Sequence, residues 1–454
     1  MVKSKLAACA VAAACVFPAW ASANDSEEME KIRAEIQQMK QNYEARIQSL
    51  ENKLEQAQAS AGKAEASAAK AETAAVQAAS QTTASAGAFN PGIALILSGT
   101  YANLSQNPDN YTITGFQSGG EIGPGERGFG LQESELDIYG NIDHYFYGSM
   151  SLALASDDTA SVEEAFIQTT ALPAGITLKA GRYFSGIGYL NAQHAHTWDF
   201  VDSPLVYQAF LGGQYGDDGV QLKWVAPTDL FMEVGAEAGR GRIAGSDGQN
   251  KNGTAAGSLF AHLGGDVGLS NSWRAGLSYL HISPSGVESN SLDDVGDYVT
   301  NTFDGTYRIW IADGVWKWAP NGNASYTNFK LQGEYMRRDA SGTLFYNSSD
   351  PGQYSADQSG WYVQGTYQFL PQWRTALRYD RLDSGSVNYG ANSALLSDRG
   401  YNPDRVSLMF DYNPSEFSRI RLQLERDKSQ EHEADNQLYL QYIMSLGSHG
   451  AHQF

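Results

Sequence analysis

The chain has 454 residues, a formal net charge of −20 and an aromatic content of 11%. The acidic balance argues against nucleic-acid binding, because no stretch of the chain forms a continuous basic stripe. After the N-terminal segment, no apolar run reaches the roughly 18 residues that a membrane-spanning helix needs, so a helical membrane protein is excluded. Both cysteines, Cys9 and Cys15, lie near the N-terminus, which excludes disulfides and thiolate metal sites from the remainder of the chain.

The N-terminus has the pattern of a secretory signal peptide, which we place at residues 1–23. Lys3 and Lys5 precede an apolar segment, and the small residues from Ala21 to Ala23 form the cleavage box. A lipoprotein signal ending at Cys15 is the alternative. Either signal predicts export from the cytoplasm.

Residues 24–57 are predicted to form a short α-helical coiled coil, because apolar residues recur there at spacings of three and four. Isoleucines such as Ile32 and Ile36 on the seam favour three strands over two. The alternative is a single amphipathic helix that lies on the protein or on peptidoglycan. Residues 58–91 are rich in alanine and lack an apolar stripe, which predicts a semi-rigid linker.

Residues 92–454 are predicted to form an all-β transmembrane barrel of about sixteen antiparallel strands. Near the C-terminus, Ile420, Leu422 and Leu424 alternate with polar and charged residues, so one face of the strand is apolar and the other is wet. Ten-residue strands of this kind are typical of outer-membrane barrels, which have an even strand number in bacteria. The predicted connections alternate between short turns and long polar loops, among them residues 185–218 and 339–360, as in periplasmic turns and extracellular loops.

The alternation also predicts which charges face the lumen, because an arginine at mid-depth in lipid costs about 2–4 kcal/mol. Residues 89–300 hold 8 Lys and Arg against 24 Asp and Glu, whereas residues 301–454 hold 14 against 17. Two walls of different sign would set up a transverse field that orients solutes; the alternative is that these charges only pair and hydrate the inner surface. The predicted pore-lining residues are Glu133, Glu135, Asp137, Arg374, Arg378, Arg419 and Arg421.

The connection at residues 185–218 is too apolar for a solvated surface loop. We predict that it folds into the barrel as a constriction loop, and the alternative is a contact with a neighbouring subunit. The candidate constriction residues are His194, His196, Trp198 and Asp199.

The two histidines of this loop, together with Asp199 and Asp202, are of metal-ligating types, as are His449 and His452 near the C-terminus. The sequence fixes no third ligand, so we predict no metal site. The sequence contains no G-x-S-x-G, Walker A or HExxH motif, and we predict neither catalytic residues nor a cofactor.

Taken together, these features resemble a Gram-negative outer-membrane porin of the phosphate-selective porin O and P superfamily. The resemblance rests on the N-terminal coiled coil, the sixteen strands, the Lys-Ala-Gly-Arg-Tyr-Phe strand at residues 179–184 before a long loop, and the terminal Phe454. It implies a homotrimer with one pore per subunit and passive diffusion across the outer membrane. The first half of the barrel is acidic and Lys179 stands nearly alone, so phosphate selectivity is not expected. Residues 448–453 also separate the last strand from Phe454.

We therefore expect a porin for small hydrophilic solutes or ions, located in the bacterial outer membrane and in contact with its lipid. Two alternatives stay open. The barrel could anchor a tether to the cell wall through a peptidoglycan contact of the coiled coil, or it could be a selective metal-ion uptake channel.

Overall fold

The computed structural model describes residues 37–41, 44, 47–48, 91–120, 122–155, 159–246 and 248–447. The chain divides into two compact units, Met1–Ala88 and Phe89–Phe454. In the first unit the described residues are helical, and Lys40 and Glu44 form an ion pair one turn apart at 3.9 Å. The predicted signal peptide and nearly all of the linker lie outside the described residues, as do most of the coiled coil and the C-terminal tail with His449 and His452.

The second unit is built from eighteen strands and one α-helix among its described residues. The strands are β1 (Gly92–Leu104), β2 (Gly128–Leu131), β3 (Ser134–Asn141), β4 (Phe146–Leu154), β5 (Ala160–Thr169), β6 (Ile176–Phe184), β7 (Gly216–Val225), β8 (Phe231–Gly239), β9 (Ala256–Val267), β10 (Asn271–Ile282), β11 (Val287–Leu292), β12 (Tyr298–Trp318), β13 (Asn328–Tyr346), β14 (Asp350–Leu370), β15 (Trp373–Asn388), β16 (Asp404–Ser415), β17 (Ser418–Lys428) and β18 (Asp435–Gly447). The helix is α1 (Leu205–Leu211), and short 3₁₀ turns occupy Pro108–Asn110, Pro173–Gly175, Ala195–Thr197, Pro320–Gly322 and Gly390–Ala394.

The strands close into a sixteen-stranded antiparallel barrel, which confirms the predicted fold class. β1 pairs with β18 on one side and with β3 on the other, so the wall of the barrel is continuous. β2 and β3 pair with the same partner and together make one interrupted wall strand. β11 pairs with the outer part of β12, while β10 and β12 pair directly below it. β10 and β11 therefore run in the same direction along one partner and together make a second interrupted wall strand, which leaves sixteen strands in the wall.

The two faces of β17 show how the alternation works in this barrel. Leu422 and Leu424 are exposed on the outer surface, whereas Arg421 and Gln423 are buried toward the interior, 1% and 0% exposed. This polarity is the reverse of a soluble sheet, because lipid is the apolar solvent outside and every charged group gains by facing in.

Aromatic side chains on neighbouring strands pair on the outer face near the short-turn end of the barrel. Trp316 lies 5.8 Å from Phe329, and Trp373 lies 4.6 Å from Tyr412, measured between ring centroids. Aromatic girdles of this kind mark the membrane–water interface of outer-membrane barrels. Among the residues that the structure describes, no helix is long and apolar enough to cross a membrane.

The prediction of a long loop at residues 339–360 is wrong. β13 and β14 continue through it with unbroken pairing from Asn328 opposite Gln368 to Tyr346 opposite Asp350, and only residues 347–349 turn. The inward residues Leu344 and Tyr354 are buried in the main apolar cluster, which holds the strands in register well beyond the roughly 9–11 residues that a membrane-spanning strand requires. The many polar residues of this segment make the alternation of inward and outward side chains hard to recognise in the sequence.

The outward face of β17 provides a test of its position in lipid. We expect Leu422→Arg to reduce the free energy of unfolding by about 2–4 kcal/mol, because a charge at mid-depth leaves water for acyl chains. Leu446→Arg, at the short-turn end of β18, is the matched control and should cost about 0–1 kcal/mol. Denaturant titration in lipid vesicles measures both values. Equal losses for the two variants would contradict the depth assigned to β17.

Candidate functional site

The connection between β6 and β7, residues 185–215, lies inside the barrel, and we call it the inserted loop. All seven residues of its helix α1 are buried, and Phe210 and Leu211 belong to the same apolar cluster as residues on the inner faces of the wall. These wall residues include Ile309, Met336, Leu344, Tyr354, Tyr362 and Leu382. The apolar part of the loop therefore fills the side of the lumen that is bounded by β12 to β15.

A single buried carboxylate on β13 holds the start of the inserted loop. Glu334 accepts hydrogen bonds from the backbone N–H groups of Tyr189 at 3.1 Å and Leu190 at 3.0 Å. The hydroxyls of Tyr207 and Tyr362 donate to the same carboxylate at 2.9 Å and 2.8 Å. Four donors satisfy most of the acceptor capacity of one carboxylate, so the loop is fixed to the wall at this point.

The C-terminal end of α1 is held in a similar way by Arg338. Its guanidinium donates to the carbonyl of Ala209 at 2.9 Å and lies over the ring of Phe210, 4.6 Å from its centroid. A cation at the C-terminus of a helix meets the negative end of the helix dipole. Gly212, with φ of +67°, ends the helix in the left-handed conformation, and a Cβ at this position would overlap Ala244.

Arginines on β15 and β16 bind the middle of the inserted loop through Asp202. Arg378 contacts the Asp202 carboxylate at 2.9 Å and donates to its backbone carbonyl at 2.8 Å, and Arg405 contacts the carboxylate at 2.7 Å. The wall also supplies Asp380 and Glu425, which lie within 3.8 Å of these guanidinium groups. Arg378 therefore faces inward as parity predicts, but the loop covers it and leaves it 1% exposed.

A second group of cations holds the neighbouring part of the inserted loop. Asp199 receives Lys330 at 2.5 Å and Arg374 at 3.3 Å. Arg421 donates to the carbonyl of Trp198 at 2.6 Å, and Arg419 donates to the same carbonyl at 3.1 Å. Trp198 and Asp199 therefore attach the loop to the wall. Their basic partners contact the loop, whereas the predicted transverse field would have them face the acidic wall across water.

Burial alone would raise the pKa of Asp199 and of Asp202. Lys330 and Arg374 outweigh burial at Asp199 and hold the pKa of its carboxyl well below the ordinary value. Arg378 and Arg405 likewise lower the pKa of Asp202. Both carboxylates therefore stay ionised at pH values where an exposed aspartate would be protonated.

On the opposite side of the lumen, two histidines of the inserted loop meet a group of glutamates. His194 Nδ1 lies 3.1 Å from Glu135 Oε2 and 3.4 Å from Glu163 Oε2, while its Nε2 lies 3.2 Å from Glu164 Oε2. His196 Nδ1 lies 2.8 Å from Glu135 Oε1. The structure thus joins His194 and His196 to glutamates of β3 and β5, whereas Asp199 and Asp202 turn to the basic wall. We call Glu135, Glu163, Glu164, His194 and His196 the carboxylate–histidine cluster.

An irregularity in β5 allows two successive residues to face the lumen. Ser151 of β4 pairs with Glu164 while its neighbour Leu152 pairs with Val162, so Glu163 is the extra residue of a β-bulge. Strict alternation would direct either Glu163 or Glu164 at lipid, whereas a bulge re-aims the extra side chain. The alternation of the sequence does not reveal that both of these residues face the lumen. An adjacent acidic pair within a membrane-spanning strand is the signal that could have identified them.

A second irregularity lies between β2 and β3. Leu131 pairs with Gly99 and Glu135 pairs with Ile96, so four steps on one strand oppose three on the other. The extra residue brings the carboxylate of Glu133 to within 4.8 Å of those of Glu135 and Glu163. Glu133 is exposed at this point, and Asp137 is half-buried on the same inward face of β3 as Glu135.

Two cavities lie on opposite sides of the carboxylate–histidine cluster. The one at the short-turn end has a volume of about 570 Å³ and is lined by His196, Arg374 and Arg419. The one at the long-loop end has a volume of about 470 Å³ and is lined by Glu163 and Arg242. Because His194 contacts both Glu163 and Glu135, and Glu135 contacts His196, the cluster connects the linings of the two cavities.

The lowered pKa values of Asp199 and Asp202 predict how docking of the loop depends on pH. Since both folded-state values lie below the unfolded value of about 3.9, the stabilisation is present above that pH and is lost as pH falls through the folded-state values. We expect pepsin to leave residues 198–211 uncut at about pH 4 and to cleave them only near about pH 2. Mass spectrometry of the fragments identifies the cleavage sites.

A double variant with Asp199→Asn and Asp202→Asn should be cut between residues 198 and 211 already at about pH 4, because the docking charges are gone. Asp294→Asn, which alters an ion pair with Arg399 outside the lumen, is the matched control and should behave like the unmodified protein. Identical cleavage of the double variant and the control would contradict charge-dependent docking.

No family model matches the sequence. OmpT of Vibrio cholerae, solved in its trimer form, is 12% identical with a TM-score of 0.49, over 79% of this chain and 99% of that one. The outer-membrane channel DcaP of Acinetobacter baumannii is 12% identical with a TM-score of 0.47, over 79% and 97%.

A protein of Aquifex aeolicus (strain VF5) is much more similar in sequence. It is 31% identical over 397 residues, which cover 81% of this chain and 80% of that protein. The similarity extends well beyond any single hairpin of the barrel. The chain therefore belongs to the same family as this uncharacterized protein of Aquifex aeolicus.

Proposed function

We propose that the protein is a porin of the bacterial outer membrane, through which small hydrophilic solutes or ions diffuse passively. The observation that carries the proposal is the pair of polar cavities at the two ends of the barrel, with the carboxylate–histidine cluster between them. Charged side chains line both cavities, as a path for hydrated solutes requires. The inserted loop fills much of the rest of the lumen, so the proposed path passes the carboxylate–histidine cluster and opens beside β14 to β18 at the short-turn end.

The outer surface supports the proposed location. Leucine, valine, isoleucine and aromatic side chains of nearly every wall strand are exposed there, including Leu222, Leu263, Leu277, Leu377, Leu422 and Leu440. A soluble protein rarely exposes an apolar surface of this extent, whereas acyl chains would cover it. A closed barrel with this belt fits the outer membrane of a bacterium.

Beside the carboxylate–histidine cluster the accessible charge is acidic, whereas arginines line part of both cavities. Arg378, Arg405 and Arg421 are nearly fully buried against the inserted loop and the aspartates of their own wall. Glu133 is exposed, and Glu163 lines the cavity at the long-loop end. We therefore propose that the pore prefers cations to anions, because fixed charges that line a pore set its selectivity.

We further propose a homotrimer with one pore in each subunit. The support is the heptad pattern of residues 24–57, in which isoleucine at both seam positions favours three strands. A contact of this coiled coil with peptidoglycan and membership of the phosphate-selective porin superfamily remain predictions from the sequence. The acidic path does not favour phosphate as the solute.

Planar-bilayer recording tests the proposal directly. We expect the purified protein to form ohmic channels in the presence of a metal chelator. Deletion of residues 190–212 should raise the single-channel conductance, because it removes the inserted loop from the lumen. Deletion of residues 248–253, which lie in the connection between β8 and β9, is the matched control and should leave the conductance unchanged.

Silence of the intact protein and of the loop deletion in the bilayer would contradict the porin and favour a barrel that only anchors the tether. Channels of equal conductance with and without residues 190–212 would contradict the constriction.

The reversal potential in a potassium chloride gradient measures the proposed cation preference. We expect the intact protein to favour potassium, and we expect the double variant Glu133→Gln and Glu163→Gln to lose part of that preference because two accessible carboxylates are neutralised. Glu288→Gln, an exposed glutamate on β11, serves as the control and should keep the potential of the intact protein. An anion preference of the intact protein would contradict the assignment of the acidic path.

A further inference from the structure

The carboxylate–histidine cluster contains buried polar atoms that lack a hydrogen bond. Within the described residues, Glu135 Oε2, Glu163 Oε2 and His194 Nδ1 make no hydrogen bond of ordinary geometry, although the His194 nitrogen lies 3.1 Å and 3.4 Å from the two glutamate oxygens. Glu135 is 1% exposed. A buried carboxylate oxygen without a donor costs free energy unless some group outside the protein chain satisfies it.

The separations of these atoms match those of neighbouring ligands around one metal ion. At bond lengths of roughly 2.0–2.2 Å, adjacent ligands of a tetrahedral ion lie roughly 3.3–3.6 Å apart. The His194 nitrogen lies 3.1 Å and 3.4 Å from the two glutamate oxygens. The ligand atoms of Glu135, His194 and His196 also lie within 4.8 Å of one another. A small shift of the side chains would place a common ion between them.

The donor set selects the class of ion. Two imidazoles with carboxylates suit a divalent first-row transition metal such as zinc, whereas magnesium and calcium prefer oxygen ligands alone. Among the described residues, the ion pairs of Glu135, Glu163 and Glu164 are all with the two histidines. A divalent cation would therefore meet carboxylates that no lysine or arginine among the described residues of the wall neutralises through an ion pair.

The backbone at this place is built to bring the glutamates together. The bulge at Glu163 directs two successive residues of β5 inward, and the irregularity between β2 and β3 occurs beside it on the acidic wall. Bulges are over-represented next to functional sites because they re-aim side chains. The 3₁₀ turn Ala195–Thr197 sets the rings of His194 and His196 5.7 Å apart, so both face Glu135.

We propose that Glu135, Glu163, His194 and His196 form a binding site for a divalent transition-metal ion, with Glu164 and Glu133 beside it. The ion joins the inserted loop to β3 and β5 and thereby fixes the loop on the acidic side of the lumen, opposite its attachment to the arginines. The site needs the barrel and the docked loop but does not depend on channel activity.

Calorimetric titration of the full-length protein in detergent with zinc tests the site. We expect one zinc ion per chain, with no displacement by an excess of magnesium. Glu135→Gln and His194→Gln should each lower the zinc affinity by at least roughly 10–100-fold, since the loss of outer-shell partners alone has that effect at metal sites. Heat-modifiable migration on a gel checks that each variant is folded.

Two control variants separate this site from other histidines. His262→Gln removes a histidine that contacts a single glutamate, Glu233, on the wall at 3.0 Å. The double variant His449→Gln and His452→Gln removes the histidines near the C-terminus. Both controls should bind zinc as the unmodified protein does, and loss of binding in either control alone would overturn the assignment.

The unmodified protein supplies a second measurement that does not depend on variants. Zinc-edge X-ray absorption of the bound ion should show imidazole nitrogens and carboxylate oxygens at roughly 2.0–2.2 Å. An all-oxygen shell, absence of zinc binding, or equal affinity in the unmodified protein and in folded Glu135→Gln would overturn the proposal. Conductance measured with chelator stays a separate result, so failure of the metal site and failure of the porin are distinguishable.

Discussion

Lipid outside the barrel forces charged side chains at membrane depth into the lumen, and the inserted loop provides partners for several of them. Arg378 and Arg405 would be costly in a dry interior without counter-charges, and Asp202 of the loop lies between them. The same solvent that fixes the orientation of β15 and β16 therefore also fixes where the loop must bind. The position at which the inserted loop binds therefore depends on the surrounding lipid as well as on the sequence of the loop.

The two sides of the loop use different chemistry. On the side of β12 to β17, its apolar side chains pack against apolar residues of the wall. On the same side, Asp199 and Asp202 form ion pairs with arginines of the wall. Toward β3 and β5 it presents His194 and His196 to carboxylates that lack sufficient donors. The first side is complete within the chain, whereas the second offers acceptors to ions from outside. The proposed metal site therefore lies on the acidic wall, and the proposed solute path passes beside it.

Alternation alone is enough to predict the barrel and the direction of residues such as Arg421, because the period of two is strict in β17. The apolar residues around Phe210 likewise predict burial of the loop. The partners were not predictable, because Asp199 and Arg374 are brought together from distant parts of the chain by closure of the barrel. The inward direction of both Glu163 and Glu164 was beyond reach as well, since a bulge breaks the rule from which direction is inferred.

The bulge in β5 also bears on how many functional groups a barrel of fixed circumference can hold. With regular pairing, the water-filled interior receives every second residue of a strand, and the remainder belong to the bilayer. An additional residue with its own backbone offset raises the density of ionisable groups at one height without widening the cylinder. A barrel of this size can thereby bring together a group of ligands that regular alternation would divide between the lumen and the lipid face.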